Sequence, residues 1–149
     1  MYERILVPTD GREHSSAAVR HAVDIAGKYG ATVHAVFVID TDTGWLTVSK
    51  ADVHDALREV GQDASEQALR EVETAAADAG VELVTDVLEG TPGERILAYA
   101  AENDVDLVVM GTHGHSGIER RLLGSVTQHV AGAAQVPVMT VSAPAENVT

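Results

Sequence analysis

The chain has 149 residues, 45% of them hydrophobic, which is enough for one well-filled core and gives no reason to invoke a second domain. Its formal charge is −13, with 23 acidic residues against ten basic ones; such a surface repels nucleic acid and anionic membranes, so neither is an expected partner. Cysteine is absent, which excludes disulfides, thiolate catalysis and cysteine-ligated zinc.

No apolar run approaches the roughly 18 residues that a membrane-crossing helix requires, and no charged segment followed by an apolar one opens the chain. The expectation is a soluble, cytoplasmic protein. The only lysines are Lys28 and Lys50. Few lysines and many carboxylates are also the balance expected of a halophilic protein, because molar salt screens the self-repulsion.

The first expected strand is Arg4 to Pro8, RILVP, running into the turn formers Thr9-Asp10-Gly11. Apolar and alanine positions from Ser15 to about Tyr29 recur at helical spacing, with Gly30 as the stop. Thr32 to Ile39 is continuously apolar apart from His34, as in a strand buried on both faces. The segment DTDTGWLTVSK, residues 40 to 50, has no periodicity and reads as a loop. A long amphipathic helix follows from about Ala51 to Ala79, with Gly61 a point of interruption. A third strand, Val81 to Leu88, carries Glu82, Thr85 and Asp86 and so belongs at an edge. Thr91-Pro92-Gly93-Glu94 has the composition of a capped helix start, Thr at the N-cap, Pro at N1 and Glu at N3, for a helix ending near Asn103. Val105 to Met110 is a buried fourth strand. Pro137 opens a fifth strand within Val136 to Val141, and the fold closes by residue 143, leaving a polar tail over residues 144–149.

The alternation of strands and helices predicts a parallel sheet covered on both faces, wound by right-handed crossovers. The informative stretch lies between the fourth strand and the fourth helix. Gly111, Gly114 and Gly117 take Cβ atoms off three points of a seven-residue run, which lets a ligand approach bare backbone. The run then re-enters a helical pattern at Gly124-Ser125, with Ser125 as N-cap and Gln128 completing a capping box. Unpaired amides and the helix dipole make that end an anion site, and phosphate is the anion it suits. No lysine stands near these glycines, so a Walker loop is excluded. Two readings of Asp10 fit the local sequence equally: the corner of an Asp-Gly turn, or an acceptor for ribose hydroxyls.

The spacing Gly111-x2-Gly114-x9-Gly124-Ser125, with the opening ILVPTDG (Ile5 to Gly11) and the closing VPVMTV (Val136 to Val141), resembles the universal stress protein family, in its nucleotide-binding branch. The resemblance covers nearly the whole chain. It implies a single-domain Rossmann-like α/β fold akin to the adenine nucleotide alpha hydrolases, with a five-stranded parallel sheet in the order 3-2-1-4-5. It also implies an adenine nucleotide, ATP, ADP or AMP, with Mg²⁺ able to accompany the phosphates. Adenine is then held near Pro8, Thr9 and the backbone of Val38, and ribose at Asp10, with Met110 also among the nucleotide-binding residues. Phosphates fall at Gly111, His113, Gly114, Gly124, Ser125 and Val126. A homodimer through residues 136–141 is implied too, and the exposed edge strand needs such cover in any case.

The family usually carries Arg where His115 stands. Arg120 and Arg121 are either substitutes for that charge or solvated surface residues. His113 and His115 form an H-x-H pair without a third ligand in reach, so no metal site is assigned. His14, His21, His34, His54 and His129 read as structural or surface residues, and Trp45 has no assigned role. The expected activity is nucleotide binding with a regulatory readout in the stress response, rather than turnover. A nucleotide-free dimeric interaction module and a slow Mg²⁺-dependent ATP hydrolase are the alternatives.

Overall fold

A computed structural model of the chain describes residues 2–9, 13–40, 50–112 and 125–142. In chain order its elements are β1 (Arg4–Pro8), α1 (Glu13–Tyr29), β2 (Thr32–Asp40), α2 (Lys50–Ala79), β3 (Leu83–Gly90), α3 (Pro92–Glu102), β4 (Leu107–Gly111), α4 (Ser125–Ala133) and β5 (Val138–Val141). The five strands form one sheet in the order β3-β2-β1-β4-β5, and all four pairings are parallel.

Side chains alternate across the pleat, so each buried strand feeds two cores. On one face Ile5, Val7, Val33, Ala35, Leu107 and Val109 pack against Ala18, Ala22 and Ala26 of α1 and Leu69 and Val72 of α2. Alanine at every fourth position lets α1 lie close to the sheet. On the other face Leu6, Val36, Val108 and Met110 meet Ile96 and Tyr99 of α3 and Val130 of α4. Ile5, Leu6, Val7 and Val109 have no exposed surface at all, and full burial of such a side chain is worth about 1.5–3 kcal/mol. That is why β1, only five residues long, anchors the middle of the sheet.

Three helices end in the same way. Ala31 N–H donates to Ala26 O, Val81 N–H to Ala76 O and Val105 N–H to Ala100 O, each at 2.9–3.0 Å, the long bond of the Schellman motif. The residue before each donor sits at positive φ: Gly30 at 69°, Gly80 at 68° and Asp104 at 52°. This motif also moves two strand starts. Val81 and Val105, expected as the first residues of β3 and β4, use their amides to close the preceding helix, and the strands begin at Leu83 and Leu107.

Other boundaries differ for equally local reasons. β5 starts at Val138 rather than around Pro137, although Pro137 O still accepts from Val108 N–H. α2 runs through Gly61 without a break in its assignment. Thr91 has the extended backbone of an N-cap, with φ −80° and ψ 118°, but its side chain makes no capping bond; Pro92 follows at N1 as expected. The amino ends are fixed by Asp106, whose carboxylate accepts from Glu3 N–H at 2.9 Å and Arg4 N–H at 3.3 Å, while its own amide donates to Arg4 O. That clasp sets β1 against β4 and therefore sets which residues meet at the far, carboxyl ends. Among the described residues, no helix is long and apolar enough to cross a membrane.

Candidate functional site

Between β1 and β4 the chain's path across the sheet reverses: β2 and β3 lie to one side, β4 and β5 to the other. In such sheets the crevice beyond the carboxyl ends at the reversal is where ligands sit. Pro8 and Thr9 end β1 there, half-buried and buried respectively, and Thr9 N–H is bound to Val36 O of β2 at 2.9 Å. Met110 and Gly111 end β4, and Thr112 N–H continues the ladder to Val141 O at 3.1 Å.

α4 is brought to this point by one buried hydroxyl. Thr127, 4% exposed, donates its Oγ1 hydrogen to Gly111 O at 2.9 Å. The first turn of α4 is therefore tied to the last residue of β4, and the amides of Ser125 and Val126 stand at the carboxyl end of the central strands. Sequence reading passed over Thr127. The trace it leaves is a polar side chain at a buried position between Val126 and Val130, whose partner is a carbonyl sixteen residues away.

Side-chain direction decides which face the site takes. Val38 and Val126 pack against the core that contains Met110, on the α3/α4 side of the sheet. Pro8 shares that side with Leu6 by the two-residue period of the strand. Of the eleven residues named from the sequence, Pro8, Thr9, Val38, Met110, Gly111, Ser125 and Val126 are thus gathered at the carboxyl ends. Asp10, His113, Gly114 and Gly124 lie outside the described residues, as do His115, Gly117, Arg120, Arg121 and Trp45. Ser125, expected as the N-cap, is the first described residue of α4.

A second polar pair lies in the α3-side core, away from the strand ends. His34 Nδ1 and Tyr99 Oη are 2.9 Å apart, their rings edge-to-face with centroids 5.8 Å apart. Burial lowers the pKa of His34, helped by the charge of Arg4, so the imidazole is held neutral. Burial raises the Tyr99 phenol, helped by the carboxylate of Asp86. Both groups stay uncharged near neutrality and satisfy one another, which is what a buried polar pair requires. His34 therefore has the structural role read from the sequence. His21 and His129 are exposed, the latter with its ring against Gly93 of α3, where a Cβ would come within 2.7 Å of Nδ1. Among the described residues, no group of three or more His, Asp or Glu is placed to hold a metal ion.

Compared with known proteins, residues 1–142 match the model of the universal stress protein family. The chain belongs to that family. A universal stress protein of Methanocaldococcus jannaschii is 36% identical over 144 residues, spanning 97% of this chain and 84% of its own. Among solved structures, a universal stress protein of Lactobacillus plantarum is 30% identical, with a TM-score of 0.75 over 94% of this chain and 97% of that one. Another, a universal stress protein in complex with cAMP, is 29% identical, with a TM-score of 0.73 over 96% and 99% of the two chains. The strand order and Rossmann-like α/β fold expected from the sequence are those of the family.

Proposed function

We propose that this universal stress protein binds an adenine nucleotide, ATP with Mg²⁺ in the first place, in the crevice beyond β1 and β4 on the α3/α4 face of the sheet. The observation that carries the reading is the bond from Thr127 to Gly111, because it sets a helix N-terminus, with its positive dipole end, beside the last residue of the switch-point strand. The cAMP complex of a 29% identical relative supports the adenine class.

In this reading Pro8, Thr9, Met110 and the backbone of Val38 receive the adenine, and Asp10 the ribose. The amides of Gly111, Gly114, Gly124, Ser125 and Val126, with His113, receive the phosphates. With a charge of −13 against it, a phosphate needs close donors, and amides that approach glycine without a Cβ between are the closest the chain offers. Nucleotide occupancy then changes the segment from Thr112 to Leu123, and a homodimer paired through β5 carries the change to a partner in the stress response. Met139, 37% exposed on that four-residue edge strand, is the kind of surface such pairing would cover.

The test is mass spectrometry of the small molecules released on denaturing protein purified in high potassium chloride. An adenine nucleotide at one equivalent per chain is the expected result, its phosphate count showing whether it was held intact. Protein that releases none, and that does not bind added ATP with Mg²⁺ in calorimetric titration, would overturn the proposal.

A further inference from the structure

The sheet has a second edge, β3, and it is the longer one. Its eight residues pair with β2 without interruption from Val33↔Leu83 to Asp40↔Gly90. Val84 and Val87 are 41% and 40% exposed, and Thr85 and Asp86 between them are exposed too. A long edge with exposed valines is a template for strand addition, and natural proteins block it.

The hydrogen-bond pattern shows what is available to an incoming strand. Val33 N–H donates to Glu82 O, so in this parallel ladder the even-numbered residues of β3 bond to β2. The amides and carbonyls of Leu83, Thr85, Val87 and Glu89 consequently face the open edge. The Val87 amide is taken: the Asp86 carboxylate accepts from it at 2.9 Å. The β5 edge differs. Val108 N–H bonds Pro137 O and Thr112 N–H bonds Val141 O, so Val138 and Thr140 face outward there, and among the described residues no side chain is bonded to their amides.

We propose that Asp86 closes the β3 edge against β3 of a second copy of this chain. The outward residues Thr85 and Val87 are symmetric about residue 86, so the antiparallel pairing that joins them places Asp86 directly opposite its twin. The two central pairs of that ladder each join Thr85 of one copy to Val87 of the other. Each needs the Val87 amide that the carboxylate occupies, and the two carboxylates meet as like charges at the shortest cross-strand spacing. Closing this edge leaves β5 as the one edge free to pair, which keeps assembly finite: a chain that paired through both edges would extend one sheet from copy to copy. The inference is independent of the nucleotide reading.

The test is the mass of D86A by sedimentation equilibrium over a range of concentrations, beside wild type and the double variant D86A/T85P. The T85P change removes an outward amide that plays no part in pairing with β2. D86A is expected to form, reversibly with concentration, a species of twice the wild-type mass where wild type shows none, and D86A/T85P is expected to return to the wild-type mass. Should D86A precipitate, recovery of a soluble wild-type mass in D86A/T85P reads the same device. D86A that keeps the wild-type mass at every concentration with an unchanged circular dichroism spectrum overturns the inference, as does a larger D86A assembly that survives T85P.

Discussion

Thr127→Val replaces the hydroxyl that joins α4 to β4 with a methyl group of nearly the same size. Nothing in the packing needs to move, but the part-buried Gly111 O loses the donor that Thr127, itself 4% exposed, supplies. A buried neutral hydrogen bond contributes about 0.5–1.5 kcal/mol, and stranding the acceptor raises the cost to about 1–3 kcal/mol. For a domain of this size each kcal/mol lowers Tm by roughly 2–4 °C. T127V should therefore melt several degrees below wild type, while T127S, which keeps the hydroxyl, should recover most of the loss. Affinity for ATP with Mg²⁺, measured by calorimetry at a temperature where both proteins are folded, should fall about tenfold in T127V, the equivalent of about 1.4 kcal/mol, and recover in T127S. A T127V protein with wild-type Tm and wild-type affinity would refute the idea that this bond sets the helix N-terminus for the ligand. Lowered Tm with unchanged affinity would leave Thr127 a purely structural residue.

Three further outcomes follow from particular side chains. Because the folded His34 pKa lies below its ordinary 6.5, the unfolded chain takes up a proton first as pH falls. The stability tied to this residue is fully present above pH 6.5 and is lost as pH drops through that value toward the lowered one. Comparing urea midpoints at about pH 7.5 and about pH 5.5, on either side of the ordinary histidine pKa, between wild type and H34V/Y99F isolates this contribution from the opposite effect of neutralising surface carboxylates; an unchanged pH difference would refute it. Asp104→Gly should raise stability by about 0.5–1 kcal/mol, since φ of 52° disfavours any side chain and the equivalent positions of α1 and α2 are glycine, with equilibrium unfolding as the readout and a destabilised variant as the refutation. Gly124→Val should remove nucleotide binding while retaining the fold, as a branched Cβ would stand where the proposed site brings phosphate to the backbone; calorimetric titration of ATP into the variant checks it, and a folded variant with wild-type affinity would refute that placement.

Strand identity and the edge position of β3 were readable because β1, β2 and β4 are buried on both faces and therefore largely apolar, whereas Thr85 and Asp86 mark β3 as an edge; the order 3-2-1-4-5 came from the family resemblance, and the sheet has it. Boundaries were less readable, for reasons visible in single bonds. The apolar residues Val81 and Val105 look like strand starts, yet each spends its amide on the helix before it. The Thr91-Pro92-Gly93-Glu94 signature correctly located a helix start but promised a side-chain cap that Thr91 does not make. That a helix follows Ser125 was legible from the spacing of the residues after it. Thr127, which holds the start of that helix in place, was not, because hydrogen bonds between a side chain and a distant carbonyl leave no periodicity. The same is true of His34 and Tyr99, sixty-five positions apart. Those contacts exist only once the strands are aligned, and the clasp of Asp106 on Glu3 and Arg4 that aligns them spans more than a hundred residues.

The placement of the base is the claim on which the rest depends, and photolabelling with 8-azido-ATP tests it most directly. Irradiation of the complex followed by tryptic mapping should put the label on the peptides Ile5 to Arg12 and Tyr29 to Lys50, which carry Pro8, Thr9, Asp10 and Val38, and excess ATP should suppress it. Label found instead on the peptides of α2, or label that ATP does not displace, would contradict a nucleotide site at the carboxyl ends of β1 and β4.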